Sequence, residues 1–182
     1  MRSYEERAKD FIAEVFPFIK DHYHPWDVEE PIYQFNHSHS RNVEVYHGCA
    51  RVALVTSDYV IKWDYDNDEV DEIGGCENEI ELYSLAEKDG FAYLFAKISR
   101  YRYGDRNFYI MPRIKGIGQG GGYAEKWMTP QEYKWCKDHC LVDLHSNNYG
   151  FRNKHVCIVD YGFVTTSSCI SFLCTSREVS ES

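Results

Sequence analysis

The segment VDLHSNNYGF at residues 142–151 is followed closely by IVDYGF at residues 158–163. The residues between the two aspartates, YGFRNKHVCIV, predict two short strands joined by a tight turn. Because a hairpin brings its two ends side by side, we expect Asp143, Asn148 and Asp160 to converge. Such a group of oxygen-bearing side chains fits either a polar hairpin end with Asx turns or a site for Mg²⁺ that carries substrate phosphates.

Two ionisable side chains upstream lie on otherwise apolar surfaces. Lys62, in the predicted strand YVIKWDY, has apolar neighbours, and it shares a face of that strand with Val60. It is either a buried functional lysine or an edge-strand lysine that prevents aggregation. Glu79 lies on the apolar stripe of a predicted helix with Leu82 and Ala86. Burying a lone carboxylate is costly, so Glu79 either takes a cationic partner such as Lys62 or extends to water at the margin of the stripe.

Composition limits the classes of function. The chain has 182 residues, 43% of them hydrophobic, with 20 Lys and Arg against 29 Asp and Glu, a formal net charge of −9. We therefore expect no nonspecific nucleic-acid binding and no anionic-membrane binding, since both need a basic face. No apolar run approaches the length of a bilayer span. The seven cysteines are odd in number, and the start of the sequence is highly charged. We therefore expect a cytoplasmic protein with reduced cysteines that serve as small core residues.

Hydrophobic periodicity divides the chain into alternating helices and strands. Gly90 is expected to close the helix after the third strand, and Thr129 to precede the last helix, which has proline in its first turn. The predicted order is a helix at 4–21, a turn-rich segment at 22–42, strands at 43–48, 50–55 and 59–65, a helix at 76–88, strands at 95–103 and 107–114, a loop at 115–123, a helix from 129 onward, and the hairpin.

Together, in this order and on these elements, the residues resemble the protein-kinase-like superfamily over roughly residues 44–165. The resemblance implies an α+β, two-lobed fold. Residues 1–42 would form an N-terminal helical extension. Residues 43–113 would form an N-lobe of antiparallel sheet plus one helix. Residues 114–182 would form a strongly truncated helical C-lobe that contains the catalytic loop and the Asp-Tyr-Gly motif, with no peptide-binding platform.

The same resemblance assigns roles to five side chains. Lys62 matches the strand lysine that holds the α and β phosphates of ATP, and Glu79 matches the helix glutamate that pairs with that lysine. Asp143 matches the catalytic-loop aspartate, which positions the acceptor hydroxyl. Asn148 and Asp160 match the two ligands of Mg²⁺.

The nucleotide-binding segments are matched less closely. Backbone groups near Met111 and Arg113 are expected to meet the adenine edge, because YIMPRIKG resembles the last N-lobe strand running into the hinge. Gly48 is the single glycine where the family has a glycine-rich phosphate loop. We interpret the glycines at 116–122 as a flexible loop that binds no phosphate. His145 is typical of aminoglycoside- and choline-kinase-like phosphotransferases, and the small size suggests a phage or bacterial source.

The expected function is transfer of the γ-phosphoryl of ATP, with Mg²⁺, to a hydroxyl of an unknown protein or small molecule. The location would be the cytoplasm, or the host cytoplasm for a phage-encoded protein. Two alternatives stay open. The sparse glycine loop and short C-lobe favour a pseudokinase that acts as a binding module. Transfer of AMP is also compatible, since the same lysine and metal sites can serve a flipped nucleotide.

Overall fold

The computed structural model describes residues 2–22, 25–47, 51–64, 75–119, 121–141 and 144–161. These residues form an α+β structure with four helices and a five-stranded antiparallel sheet within the described ranges. The chain divides into two compact units. Unit 1 comprises Met1–Cys76 and Ala96–Arg113, and unit 2 comprises Glu77–Phe95 and Ile114–Ser182.

Unit 1 begins with two helices. Helix α1, Tyr4–Ile19, starts with a capping box in which the Ser3 side chain accepts from the backbone N–H of Glu6. Helix α2 spans Glu29–His39, inside the segment predicted to be turn-rich, so that prediction is wrong. The prolines suggested turns, but Pro31 lies in the first turn of α2, where proline is tolerated.

The sheet of unit 1 has the strand order β1-β2-β3-β5-β4, with antiparallel pairing throughout. All five strands fall within or beside predicted segments, so these predictions are confirmed. Strand β3 is central, which rules out the edge-strand interpretation of Lys62. The strands are β1, Glu44–His47; β2, Arg51–Val55; β3, Tyr59–Asp64; β4, Ser99–Tyr103; and β5, Arg106–Pro112.

A single apolar core joins the two helices to one face of this sheet. Alternate residues of the central strands enter it, including Ile61 and Trp63 of β3 and Ile110 of β5. Because successive side chains of a strand alternate between faces, Lys62 and Met111 lie on the opposite face of the sheet. Residues 1–42, predicted as an extension, thus contribute both helices to the core of the sheet. The predicted lobe boundaries themselves stay a prediction.

Unit 2 is built on two helices and a hairpin. Helix α3, Cys76–Asp89, enters unit 2 at Glu77 and is followed by Gly90 at φ +82°, as predicted. Helix α4, Pro130–Asp138, follows Thr129 with a capping box. The predicted hairpin is confirmed as strands β6, Tyr149–Arg152, and β7, His155–Ile158.

The described cysteines match the sequence expectation with one exception. Cys76, Cys136 and Cys157 are free and buried. Burial raises the pKa of Cys136 to about 12 and that of Cys157 to about 11. Cys140 is instead disulfide-bonded, which corrects the expectation that all cysteines are reduced. None of the helices in the described ranges combines the length and the apolar character needed to cross a bilayer.

Candidate functional site

Lys62 lies at the centre of unit 1. Its partners across the sheet are Ala53 of β2 and Tyr109 of β5, and its side chain is 7% exposed. The strand that carries Lys62 is therefore paired on both sides. The Lys62 side chain lies on the sheet face that does not pack against α1 and α2. An ammonium group in such a buried position needs a compensating anion or hydrogen bonds, so a lysine there seldom serves only to pack the interior.

The segment after β5 was predicted to meet an adenine edge, and the structure shows how its backbone is already used. The Arg113 N–H donates to the Asp58 carbonyl at 2.9 Å. Since hydrogen-bonded pairs alternate along an antiparallel ladder, Met111 also directs its backbone groups toward β3, opposite Val60. Pro112 between them directs its carbonyl away from β3. Adenine binding by Met111 and Arg113 stays a prediction, and in this structure the Arg113 N–H already has an acceptor.

Asp64 is a positioning residue that the sequence did not reveal. Both of its carboxylate oxygens lie within 3.1 Å of the backbone N–H of Cys76, the first residue of α3. Gly75 precedes that residue, and a Cβ atom there would lie 2.9 Å from the Asp64 carboxylate. A carboxylate at a helix start satisfies a free N–H group and favours the helix dipole. Asp64 therefore stabilises the start of α3 at Cys76.

Glu79 of α3 is fully buried in unit 2. Its Oε1 accepts a hydrogen bond from the backbone N–H of Tyr161 at 3.4 Å. The Tyr161 ring packs on Phe95 with centroids 4.9 Å apart. The alternative in which Glu79 extends to water is therefore wrong. The carboxylate instead contacts the backbone of the Asp-Tyr-Gly segment.

Asn148 and Asp160 meet at the base of the hairpin. The Asn148 carbonyl accepts from the N–H of Val159 at 2.8 Å and from that of Asp160 at 3.4 Å. Asn148 is itself buried at 8% exposure and ends a short 3-10 turn. The backbones of the two hairpin ends are thus close together at these residues, and the roles of their side chains stay a prediction. An amide and a carboxylate are oxygen donors of the type that Mg²⁺ prefers, so the donor set fits that ion.

The glycine-rich segment predicted to be a flexible loop is hydrogen-bonded to the residues before the hairpin. The Gly118 N–H donates to the Ser146 carbonyl at 2.7 Å, and the Ala124 N–H donates to the Leu144 carbonyl at 2.8 Å. Gly118 has a φ of +79°, and a Cβ atom there would lie 3.4 Å from Asn147 Oδ1. We name residues 115–119 and 121–128 the strap, because they run alongside residues 144–151.

His145 has a local structural role beside the strap. Its Nδ1 accepts from the backbone N–H of Asn147 at 3.2 Å, and its carbonyl accepts from the N–H of Asn148 at 2.9 Å. The imidazole thus caps the turn that contains Asn148. A histidine at this position shapes the loop through its acceptor nitrogen, independently of any contact with a substrate.

Two predicted residues lie outside the described residues: Asp143 and Gly48. Their roles stay predictions. Within the described ranges, no group of three or more His, Cys, Asp or Glu side chains is placed to hold a metal ion. Of the predicted metal ligands, the structure describes both Asn148 and Asp160.

No protein-family model matches the sequence, and no curated protein matches it. Among solved structures, the chain is similar to the bifunctional kinase-methyltransferase WbdD, at 18% identity and a TM-score of 0.34, covering 71% of this chain and 33% of that one. It is also similar to the choline kinase LicA from Streptococcus pneumoniae, at 12% identity and a TM-score of 0.38, covering 74% of this chain and 68% of that one. The chain spans only about a third of the first protein. At these scores the likenesses carry no argument about fold or function.

Proposed function

We propose that the protein is a kinase-like phosphotransferase that uses ATP and Mg²⁺ to phosphorylate a hydroxyl group of a protein or small molecule. The observation that carries the proposal is the buried Glu79, whose carboxylate accepts from the backbone of Tyr161. A buried carboxylate is costly unless it is paired or hydrogen-bonded, and this one accepts from the segment that contains the proposed metal ligand Asp160.

The proposed roles rest on the chemistry of each group. Lys62 supplies a positive charge for the phosphates of ATP, and Glu79 orients that lysine. Asn148 and Asp160 would hold Mg²⁺, which neutralises charge on the transferring phosphoryl group. Asp143 orients the acceptor hydroxyl toward the γ-phosphorus. Catalysis by such a set depends on positioning and electrostatics, since phosphoryl transfer requires little covalent chemistry from the protein.

The experiment is incubation with γ-labelled or α-labelled ATP, with Mg²⁺ and a cell lysate, for the parent protein and the Asp160→Ala and Asp143→Ala variants. We expect label from γ-labelled ATP only, with loss in both variants. Asp105→Ala is the matched control, because Asp105 lies exposed in the turn between β4 and β5. A third variant, Asn148→Ala, should also lose the label, and Asn147→Ala, at the exposed residue before it, is its control.

Three outcomes would contradict the proposal. Label from α-labelled ATP would indicate AMP transfer. Equal labelling by the parent and the Asp160→Ala variant would exclude the assigned metal site. Absence of label, together with no thermal shift on addition of ATP and Mg²⁺, would leave a binding module without catalysis.

A further inference from the structure

Three backbone hydrogen bonds join the strap to residues on both sides of Asn148. They run from the Ala124 N–H to the Leu144 carbonyl at 2.8 Å, from the Gly118 N–H to the Ser146 carbonyl at 2.7 Å, and from the Phe151 N–H to the Lys115 carbonyl at 2.9 Å. All of these residues belong to unit 2. The residues before and after Asn148 are thus both fixed to the strap.

The turn Ser146–Asn148 has few hydrogen bonds of its own, because it is a 3-10 helix of three residues. The Asn148 carbonyl accepts from the N–H of Val159 at 2.8 Å and from that of Asp160 at 3.4 Å, so the turn is linked to the segment with the second proposed metal ligand. A shift of the strap would therefore change the backbone position of Asn148 and, through its carbonyl, that of Asp160.

At Gly150 the strap lies directly against the hairpin. A Cβ atom there would lie 2.5 Å from the Lys115 carbonyl oxygen and 2.8 Å from Cγ2 of Ile114, the residue before the strap. Any side chain at position 150 would therefore force the strap and β6 apart. The φ of Gly150 is not positive, so the close approach of the two backbones, and not an unusual conformation, accounts for a glycine at this position.

We propose that Gly150 is a positioning residue for the proposed metal site. Its missing side chain lets the strap approach β6, and the hydrogen bonds of the strap then hold Asn148 where its side chain can bind Mg²⁺. The inference rests on the proposed function, because it takes Asn148 and Asp160 as the metal ligands. Changing a residue that orients metal ligands without touching the ion typically lowers metal affinity by about 10–100-fold.

Metal affinity and backbone protection are measured separately. Binding of Mn²⁺, which takes the same oxygen ligands as Mg²⁺, is followed by electron paramagnetic resonance with a non-hydrolysable ATP analogue. Hydrogen exchange of the Asn148 N–H, which donates to the His145 carbonyl at 2.9 Å, is followed by NMR relative to the amides of α4. We expect Gly150→Ala to weaken Mn²⁺ binding by about tenfold or more and to speed exchange at Asn148.

Gly121→Ala is the matched control, because position 121 belongs to the strap and nothing lies within 4 Å of a Cβ atom there. Its φ of +59° makes this substitution strained, so it should lower stability while leaving Mn²⁺ affinity and Asn148 exchange like those of the parent protein. Gly118→Ala is a milder second variant, with a φ of +79° and a Cβ atom 3.4 Å from Asn147 Oδ1. It should change both measurements in the same direction as Gly150→Ala, by a smaller factor.

The inference is overturned if Gly150→Ala folds and binds Mn²⁺ like the parent protein, or if exchange at Asn148 is unchanged. If Gly150→Ala does not fold, Gly118→Ala decides, and values equal to those of Gly121→Ala overturn the inference. A parent protein that binds no Mn²⁺ with the ATP analogue contradicts the proposed function instead. Exchange at Asn148 needs no metal, so the two failures are distinguishable.

Discussion

The two units stabilise their interiors in different ways. Unit 1 packs one continuous apolar cluster between two helices and a five-stranded sheet, with edge-to-face rings such as Phe11 on Phe35. Unit 1 also has polar links between its elements, such as the ion pair of Arg7 with Asp58, but that pair is well exposed. In unit 2, two such links end on the buried carboxylates of Glu79 and Glu132. Tyr93 donates to Glu132 at 2.7 Å, the Trp135 indole donates to Asp89 at 2.9 Å, and Glu79 accepts from Tyr161.

The two units therefore differ in how strictly their contacts specify geometry. Apolar contacts are non-directional and tolerate small shifts, whereas hydrogen bonds to buried carboxylates specify geometry and are costly when left unmade. Unit 2, which contains the proposed metal ligands, is thus the unit whose hydrogen bonds to buried carboxylates specify geometry. In unit 1 the backbone of the ionisable residue of interest, Lys62, is positioned by pairing with β2 and β5. Four predictions test the contrast, from the largest expected effect to the smallest.

Ile12→Ala in α1 should lower the free energy of unfolding by about 2–5 kcal/mol, because Ile12 is fully buried in the apolar cluster and its loss leaves a cavity. Urea denaturation followed by circular dichroism measures the change. Lys20→Ala, at the exposed end of the same helix, should change stability by less than about 0.5 kcal/mol. If Ile12→Ala lowers the free energy of unfolding by less than about 1 kcal/mol, close to the effect of a surface substitution, the apolar cluster is not the main source of stability in unit 1.

Gly104→Ala should cost about 2–3 kcal/mol and Gly90→Ala about 1 kcal/mol. Both glycines have positive φ, at +62° and +82°, so both substitutions carry backbone strain. A Cβ atom at Gly104 in unit 1 would lie 2.7 Å from the Phe16 ring, whereas nothing lies within 4 Å of one at Gly90 in unit 2. The difference between the two variants in thermal or urea unfolding therefore isolates the packing term. Equal losses would mean that the Phe16 ring moves aside freely.

Glu132→Gln should lower stability at neutral pH by about 1–2 kcal/mol, because one charge-assisted hydrogen bond loses its acceptor. Burial raises the pKa of Glu132, but hydrogen bonds from Thr129 and Tyr93 outweigh it, so the pKa is lowered overall. A lowered pKa in the folded state stabilises above the unfolded pKa, near 4.3, and that contribution disappears as pH falls through the folded pKa.

The measurement for this variant is urea unfolding across a pH series. The stability gap between the parent protein and Glu132→Gln should narrow as pH falls below about 4. Glu87→Gln, exposed on α3, serves as the control and should leave the pH profile unchanged. A gap that stays constant down to acid pH would show that ionisation of Glu132 contributes nothing to stability.

Tyr149→Phe should leave the free energy of unfolding unchanged or raise it by up to about 1 kcal/mol. The Tyr149 hydroxyl is buried and has no hydrogen-bond partner among the described residues. Its removal therefore eliminates the free-energy cost of an unsatisfied buried polar group. Tyr93→Phe, which removes the donor to Glu132, is the contrasting variant and should lose about 1 kcal/mol. A clear loss for Tyr149→Phe would reveal an acceptor, such as an ordered water, for this hydroxyl.

Much of the secondary structure could be predicted from the sequence because its signals are local. Alternating β-branched and aromatic residues predict β1 to β5, and Gly90 and Thr129 mark helix ends through backbone preferences that need no partner. Helix α2 was missed although Val28, Ile32 and Phe35 have helical spacing, since the prolines nearby were given more weight. The candidates Lys62 and Glu79 could be found because a charge on an apolar stripe is visible in the pattern itself.

The sequence by itself thus determined the order of the elements other than α2, the helix ends at Gly90 and Thr129, and the residues that interrupt apolar faces. Only the tertiary structure decided that β3 is central, that Glu79 contacts the Tyr161 backbone, and that the Arg113 N–H already donates to Asp58. It also decided that the strap lies beside the residues before the hairpin, and that three ion pairs surround a cavity in unit 1. The reason is physical: helix and strand preferences depend on neighbours in the chain, whereas hydrogen-bond partners and cavities depend on which distant surfaces meet.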